Sequence, residues 1–377
     1  MYPTARFISS LDRYAKLLVD YSIGVEKGME VLVSSETTAA PLVREIYRQV
    51  LRSGAYPTPL LRDELLSEIF YLEANEDQLR HVTPLLRTLY EEYDASISIL
   101  STIHTKPLIG IDPSKIAVAR QAIAPLFQEF LEKAARGEKK WTIAPYPTLA
   151  MSQEASMRPL EFEEFVYKAV KLHYEDPVAA WMDQARRQEK VVNDILSKAD
   201  ELRFEGPGIS LTVKVSGRKW ISDDGHENMP GGEVFTGPHE DGVDGCVEFD
   251  MPQVYSGIEV EGVRLCFRNG VLSEYSATKG GDFLERMVNL DDGAKRLGEL
   301  AFGLNYDVQR QTKEILFDEK IGGTIHMALG NGYPETGSTN RSAIHWDMVK
   351  SMWNARVYAD GDLVYENGYF INWNKED

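Results

Sequence analysis

The chain is short of the features that mark several common protein classes. It has two cysteines, Cys246 and Cys266, in 377 residues, too few for the disulfide framework of a small secreted domain. They are read as thiols of a reducing compartment, with a bond between them the lesser alternative. No run approaches the eighteen or so apolar residues of a membrane span. The N-terminal stretch MYPTARFISSLDRYAKLL is charged and amphipathic, with no apolar core leading to a small-residue cleavage site. It does not read as an export signal, and a cytoplasmic location is expected. Basic residues are outnumbered, 41 against 59 acidic, for a formal net charge of -18. That balance repels nucleic acid and anionic membrane and suits metal cations or a cationic substrate. No GxGxxG or P-loop pattern opens a helix, so a nucleotide site is not supported, and HExxH is absent. Internal repeats and low-complexity tracts are lacking too.

What is present is core-forming material. With 43% hydrophobic and 10% aromatic residues the chain is not disordered, and its length favours two domains. In the first half, helical and extended patterns alternate. Residues 4–22 carry apolar side chains at helical spacing, among them Phe7, Leu11, Tyr14, Leu18 and Tyr21. Strands are predicted at 28–34, 56–61, 95–100 and 141–145, with helices at 40–53 and 113–136 between them. Such alternation predicts a mostly parallel sheet covered by helices. A helical tract over 177–200 follows. Beyond it the chain turns strand-rich and glycine-rich, and VRLCFRNGVLSEY predicts a hairpin turning at Asn269-Gly270. The fold class expected is α/β in two domains: an alternating α/β domain over 1–190 and a strand-rich α/β domain over 191–377, rigidly joined through the helical tract.

Chemistry-bearing residues gather in the second half. The seven histidines include His326 and His345, each preceded by isoleucine and followed by a bulky apolar residue. In Ala343-Ile-His-Trp-Asp-Met348, an extended backbone puts His345 and Asp347 on one face. A polar group in an apolar strand is costly unless paired or bound to a metal; the plain alternative is a ring satisfied by a backbone carbonyl. Glu233 follows Gly-Gly in Pro230-Gly-Gly-Glu-Val-Phe-Thr236, where a strand begins, and is otherwise an exposed edge charge. Glu299, in Ala294-Lys-Arg-Leu-Gly-Glu-Leu-Ala-Phe302, is read on a helix with Leu297 and Leu300 facing inward. Glu319 lies seven residues before His326, across a Gly-Gly turn. Carboxylates and imidazoles are the donors a two-metal hydrolytic centre uses, with cations about 3.5–4 Å apart.

The motifs resemble the aminopeptidase T and aminopeptidase S family of metallopeptidases. The resemblance covers nearly the whole chain. It runs through Tyr14-Ala-Lys-Leu-Leu-Val-Asp-Tyr21, Gly28-Met-Glu-Val-Leu-Val33, Ser216-Gly-Arg-Lys-Trp220, Asn228-Met-Pro-Gly-Gly-Glu-Val-Phe-Thr236, Leu297-Gly-Glu-Leu-Ala301, Ile325-His-Met-Ala-Leu-Gly330 and His345-Trp-Asp347. It implies metal ligation by Glu233, Glu299, His326, His345 and Asp347. Glu319 falls on a functional glutamate, as ligand, general base or both, and Tyr333 on a functional tyrosine. The segment from Glu319 to His326 is about two residues longer than in the type members.

The implied fold is two α/β domains with the metal centre in the C-terminal one. The implied cofactors are two divalent ions drawn from zinc, cobalt, manganese and magnesium. The implied partners are peptides with a free N-terminus and a second copy of the chain, with neither nucleic acid nor membrane. The expected activity is a metal-dependent aminopeptidase that releases N-terminal residues by metal-activated water, with Tyr333 donating to the developing oxyanion. The alternatives are an amidohydrolase acting on a non-peptide amide, or a non-catalytic metal-binding homologue. Arg218 and Trp220 are read as shaping the cleft or the fold. His226 and His239 are read as surface or outer groups.

Overall fold

Parallel strands need long crossovers, and the first part of the chain supplies them. In the computed structural model, which describes residues 5–371 and 373, four strands pair in parallel. Their order is Tyr56–Arg62, Glu30–Glu36, Ala95–Leu100, Lys140–Pro145. Helices Ala40–Arg52 and Pro113–Ala135 lie in the crossovers where their periodicity predicts them. Helix Ala5–Leu17 continues as a π turn, Leu18–Ile23, that stops at Gly24 in the left-handed region. Met1–Thr4 and the side chain of Phe7, on which the N-terminal reading partly rests, lie outside the described residues. The shorter helices Leu65–Glu73, Glu76–Arg80 and Pro84–Glu91 fill a crossover where the sequence suggested nothing regular.

The chain divides into two compact units, Met1–Val178 with Gly225–Met229, and Ala179–Asp224 with Pro230–Asp377. The second unit is built of two large antiparallel sheets and a two-stranded ribbon of Gln253–Tyr255 and Ile258–Val260. One has eight strands, in the order Val271–Ser276, Arg264–Arg268, Val243–Glu248, Ile209–Lys214, Glu201–Gly206, Arg356–Ala359, Asp362–Glu366, Tyr369–Phe370. The predicted hairpin is there, with Asn269 and Gly270 both at positive φ, as its tight turn demands. The other sheet runs His345–Ser351, Thr324–Gly330, Leu297–Gly303, Glu233–Thr236, Ile221–Asp223. The two sheets share one apolar core, in which Phe204 of the first stacks on Phe302 of the second at 6.1 Å.

Two sequence-based expectations fail in this unit. The segment carrying Glu299 is a strand, Leu297–Gly303, not a helix. All seven of its residues are buried, so both faces are apolar or paired and the period of two is hidden. A bulge at Gly298 further displaces the register. Cys246 and Cys266 stand directly opposite each other on neighbouring antiparallel strands and are joined in a disulfide. Cysteine usage therefore gives no support to a reducing compartment.

Candidate metal centre

The five-stranded sheet sorts its side chains by alternation. Val234, Leu300, Phe302, Ile325, Met327, Leu329, Trp346 and Met348 point into the core between the sheets. The register then puts every second residue on the opposite face. Gly303 pairs with Glu233, Ala301 with His326, Glu299 with Ala328, and Ala328 with Asp347. Asp223 pairs with Glu233, and His345 with Gly330. Side chains opposite one another across antiparallel strands share a face. One face thus carries Asp223, Glu233, Glu299, His326, His345 and Asp347. Ala301 and Ala328 lie between these donors and contribute only methyl groups, which leaves room above the middle of the sheet.

The seventh member arrives from a connection. After the short helix Ile315–Asp318 the backbone passes over the edge of this face, and Gly303 lets it come close. A Cβ at Gly303 would stand 2.3 Å from the Ile321 carbonyl oxygen and 3.0 Å from that of Glu319. The Asn305 N–H donates to the Lys320 carbonyl at 3.0 Å and pins the segment down. Glu319 is thereby held against the donors of the sheet.

The resulting geometry has three groups whose donor atoms lie within 4.8 Å of one another: Glu233, Glu299 and His326; Glu299, His345 and Asp347; Glu319, His326 and Asp347. The six residues singled out as metal-ligating in the sequence are therefore brought together, and the groups share members. His326 Nε2 is 3.2 Å from Glu233 Oε2 and 3.4 Å from Glu299 Oε1. His345 Nε2 is 3.1 Å from Glu299 Oε2 and 3.4 Å from Asp347 Oδ2. Tyr333 reaches the same place, its hydroxyl 3.4 Å from His345 Nε2. The His345 Nδ1–H donates to the Asn331 carbonyl at 2.7 Å, which orients the ring with Nε2 toward the other donors.

The donor set fits a cation better than it fits itself. His326 is fully buried, yet neither ring nitrogen has a hydrogen-bond partner, although carboxylates approach Nε2 closely. Glu233 Oε2 and Asp347 Oδ1 are likewise buried without a partner. Buried polar atoms are almost always satisfied, and two of these orphans, Glu233 Oε2 and His326 Nε2, face each other at 3.2 Å. Nitrogen and oxygen donors of this kind suit zinc, cobalt or manganese, and no sulfur donor is among them.

The electrostatics follow from burial and crowding. Burial pushes the Glu233 carboxyl up to about 8; Lys320 opposes this, while Asp223 and Glu299 add to it. Glu319 is also pushed up to about 8 by burial, again against Lys320. Burial would raise Glu299 too, but the close approach of the His326 and His345 rings holds it down to about 2. Burial would depress His345, but Asp347 and Glu299 drive it up to about 12. Burial and four surrounding carboxylates raise the Tyr333 hydroxyl well above its ordinary value, so it stays a proton donor. A divalent ion among the same atoms reverses this order: it favours ionised carboxylates and neutral imidazoles.

Sequence reasoning missed two participants. Lys320 is fully buried, with Nζ 2.9 Å from Asp223, 2.7 Å from Glu233 and 2.6 Å from Glu319. Its only signal in the sequence is a lysine wedged between an acid and an apolar residue ahead of Gly-Gly. Asp223 gave no signal beyond its place in an acidic loop. The other residues singled out sit elsewhere. Trp220 packs on Phe302 in the core, Arg218 pairs with Glu240 at 2.7 Å, and the His239 ring bonds the Ser216 carbonyl. His226 packs against Tyr21 in the first unit.

The chain is similar to known proteins along most of its length. The Thermus thermophilus protein named aminopeptidase T is 30% identical over 96% of this chain and 96% of its own. Aminopeptidase 2 of Geobacillus stearothermophilus is 30% identical over 87% of this chain and 85% of its own. The solved structure described as wild-type AmpT from Thermus thermophilus superposes with a TM-score of 0.84 at 27% identity, covering 97% of this chain and all of that one. The family described as thermophilic metalloprotease (M29) matches residues 7–370, and the chain belongs to that family.

Proposed function

We propose that the protein is a metal-dependent aminopeptidase whose centre is the donor face just described. The observation that carries the reading is the convergence of Glu233, Glu299, Glu319, His326, His345 and Asp347 in three overlapping groups, with the orphaned Glu233 Oε2 and His326 Nε2 facing each other. Family membership supplies the reaction class. The aminopeptidase names of the relatives supply the end of the peptide at which it acts.

Charge supports a pair of ions. Asp223, Glu233, Glu299, Glu319 and Asp347 bring five negative charges and Lys320 returns one, so four remain when the imidazoles are neutral. Two divalent cations balance that. Two imidazoles among the donors favour zinc or cobalt over magnesium. Such ions, when bound, acidify water and polarise a carbonyl.

The chain's own groups do the rest. Glu319 takes a proton from the attacking water and passes it to the leaving amine. The Tyr333 hydroxyl donates to the scissile carbonyl oxygen as that atom gains charge. Carboxylates around the site attract the substrate's free α-ammonium, which restricts cleavage to a peptide's first bond. Assembly as a homodimer is supported by the Leu65–Glu73 helix, which buries none of its residues and leaves Leu65, Leu66, Ile69, Phe70 and Leu72 exposed. A contiguous apolar surface of this kind marks an interface.

The test is metal analysis and turnover of wild type beside Glu299→Gln and His345→Ala, on an amino-acid anilide and its N-acetylated form. The expected result is bound metal and cleavage of the free amine only in wild type, with both variants folded and stripped of both properties. Equal cleavage of the blocked anilide would make the protein a general amidohydrolase. Bound metal without turnover on any peptide would leave it a non-catalytic homologue.

A further inference from the structure

A lysine with no exposed surface, in the middle of a cluster that is to hold cations, needs a reason. Burial alone disfavours an ammonium strongly, and a positive charge beside a metal site opposes loading. Lys320 is nevertheless built in from several sides. Its carbonyl is tied to Asn305 N–H and its N–H to the Phe317 carbonyl. Its ammonium is shared among Asp223 Oδ2, Glu233 Oε1 and Glu319 Oε1. From below, the Gln188 amide donates to the backbone carbonyls of Asp223 and Glu233, at 3.0 and 2.9 Å. The two acids that flank the ammonium are therefore held at their backbones as well.

We propose that Lys320 is a positioning residue of the metal centre, which engages one oxygen each of Glu233 and Glu319 so that only the second oxygen of each is presented to the donor cluster. The orphaned Glu233 Oε2, 3.2 Å from His326 Nε2, is what this arrangement leaves. On the Glu319 side the same contact sets the direction of the remaining oxygen, the one that handles the proton. Asp223 anchors the ammonium from behind and takes no part in the three donor groups. The inference rests on the functional reading above, in which Glu233 binds metal and Glu319 is the general base.

A counter-ion and a positioning residue behave differently when charge is restored without geometry. The experiment compares wild type, Lys320→Met and Lys320→Met with Asp223→Asn, each freed of metal and reloaded with cobalt. Thermal unfolding, cobalt uptake, the visible absorption spectrum, kcat and KM are then measured. Lys320→Met unfolds at lower temperature than wild type, because three crowded carboxylates lose the ammonium they share. The double variant recovers that loss, since one charge of each sign is gone. In both, the cobalt spectrum differs from wild type, and kcat falls by about 10–100-fold with KM within about threefold, as when an outer partner of a metal ligand is lost.

A double variant with the wild-type spectrum and kcat within about twofold of wild type would overturn the proposal and leave Lys320 a counter-ion. If the single variant does not fold, the double variant carries the test. If the double variant does not fold either, Lys320 is a structural residue and the proposal falls. Failure of the underlying reading looks different: wild type itself then takes up no cobalt.

Discussion

Gly303→Ala is a one-methyl test of how Glu319 reaches the donor face. Gly303 pairs with Glu233, so a side chain there projects onto that face. Its Cβ would lie 2.3 Å from the Ile321 carbonyl oxygen, 2.7 Å from Thr324 Oγ1 and 3.0 Å from the Glu319 carbonyl oxygen. Carbon and oxygen come no closer than about 3.3 Å in favourable contacts, so the segment must withdraw by roughly 1 Å. Overpacking of this kind costs about 1–3 kcal/mol. A misplacement of about 1 Å at a reacting group costs on the order of 100-fold in rate. The other five donors sit on the sheet strands themselves and stay in place. The expectation is therefore a folded protein that retains bound metal, with kcat lower by about 100-fold and KM little changed. Steady-state kinetics on an amino-acid anilide, elemental analysis and thermal unfolding read the three quantities, with Glu319→Gln as the control. Wild-type kcat in Gly303→Ala beside an inactive Glu319→Gln would refute the packing argument. Wild-type kcat in both would refute the role given to Glu319.

Other substitutions separate the remaining parts. Tyr333→Phe should lower kcat by about 100-fold, the cost of one oxyanion donor, and leave metal content at the wild-type value; parallel metal loss would mean that the hydroxyl orders the donors instead. Ala328→Leu keeps every donor but fills the space between Glu299 and Asp347, so elemental analysis should find metal lost from a folded protein; retained metal would place the ions elsewhere. Glu240 bears on acid stability. Burial raises its carboxyl, but hydrogen bonds from Thr339 and the charge of Arg218 outweigh that and hold it down to about 2, against about 4.3 in an unfolded chain. A depressed carboxylate contributes stability above its unfolded value and loses it as the pH falls toward its folded value. Denaturant titrations should show Glu240→Gln less stable than wild type at neutral pH, with the gap closing between about pH 4.5 and pH 2. A gap that does not depend on pH would assign Glu240 a role other than its charge.

The sequence made the class of the first sheet legible, because each crossover helix and each strand carries its own period. The donors were legible as candidates from their local pattern, and as ligands through the family resemblance. His345 and Asp347 occupy alternate positions in an apolar strand, His326 interrupts an apolar run, and Glu233 opens a strand after Gly-Gly. Glu299 was legible as a donor and misread as to its element. Leu297 and Leu300 have helical spacing, and the strand's two buried faces remove the alternation that would have corrected it. Lys320 and Asp223 were illegible because their meaning is entirely non-local. The ammonium meets partners 87 and 97 residues away in the chain, and no local period encodes that. The disulfide depends on strand register in the same way.

Two demands meet in the five-stranded sheet. A hydrolytic centre needs like-charged groups held a few ångströms apart, which folding alone disfavours. A sheet separates the demands by face. The residues between the donors along each strand, Val234, Leu300, Phe302, Ile325, Met327, Trp346 and Met348, bury apolar surface against the second sheet. That burial offsets the crowding on the other side at about 25 cal/mol for each Å² removed from water. Because strands alternate strictly, neither set can shift without the other: a slip of one residue would bury the carboxylates in the core and expose the tryptophan. The register that makes the core is the register that makes the site. A cation bound there, having no comparable site in the unfolded chain, adds its binding free energy to the stability of the whole unit.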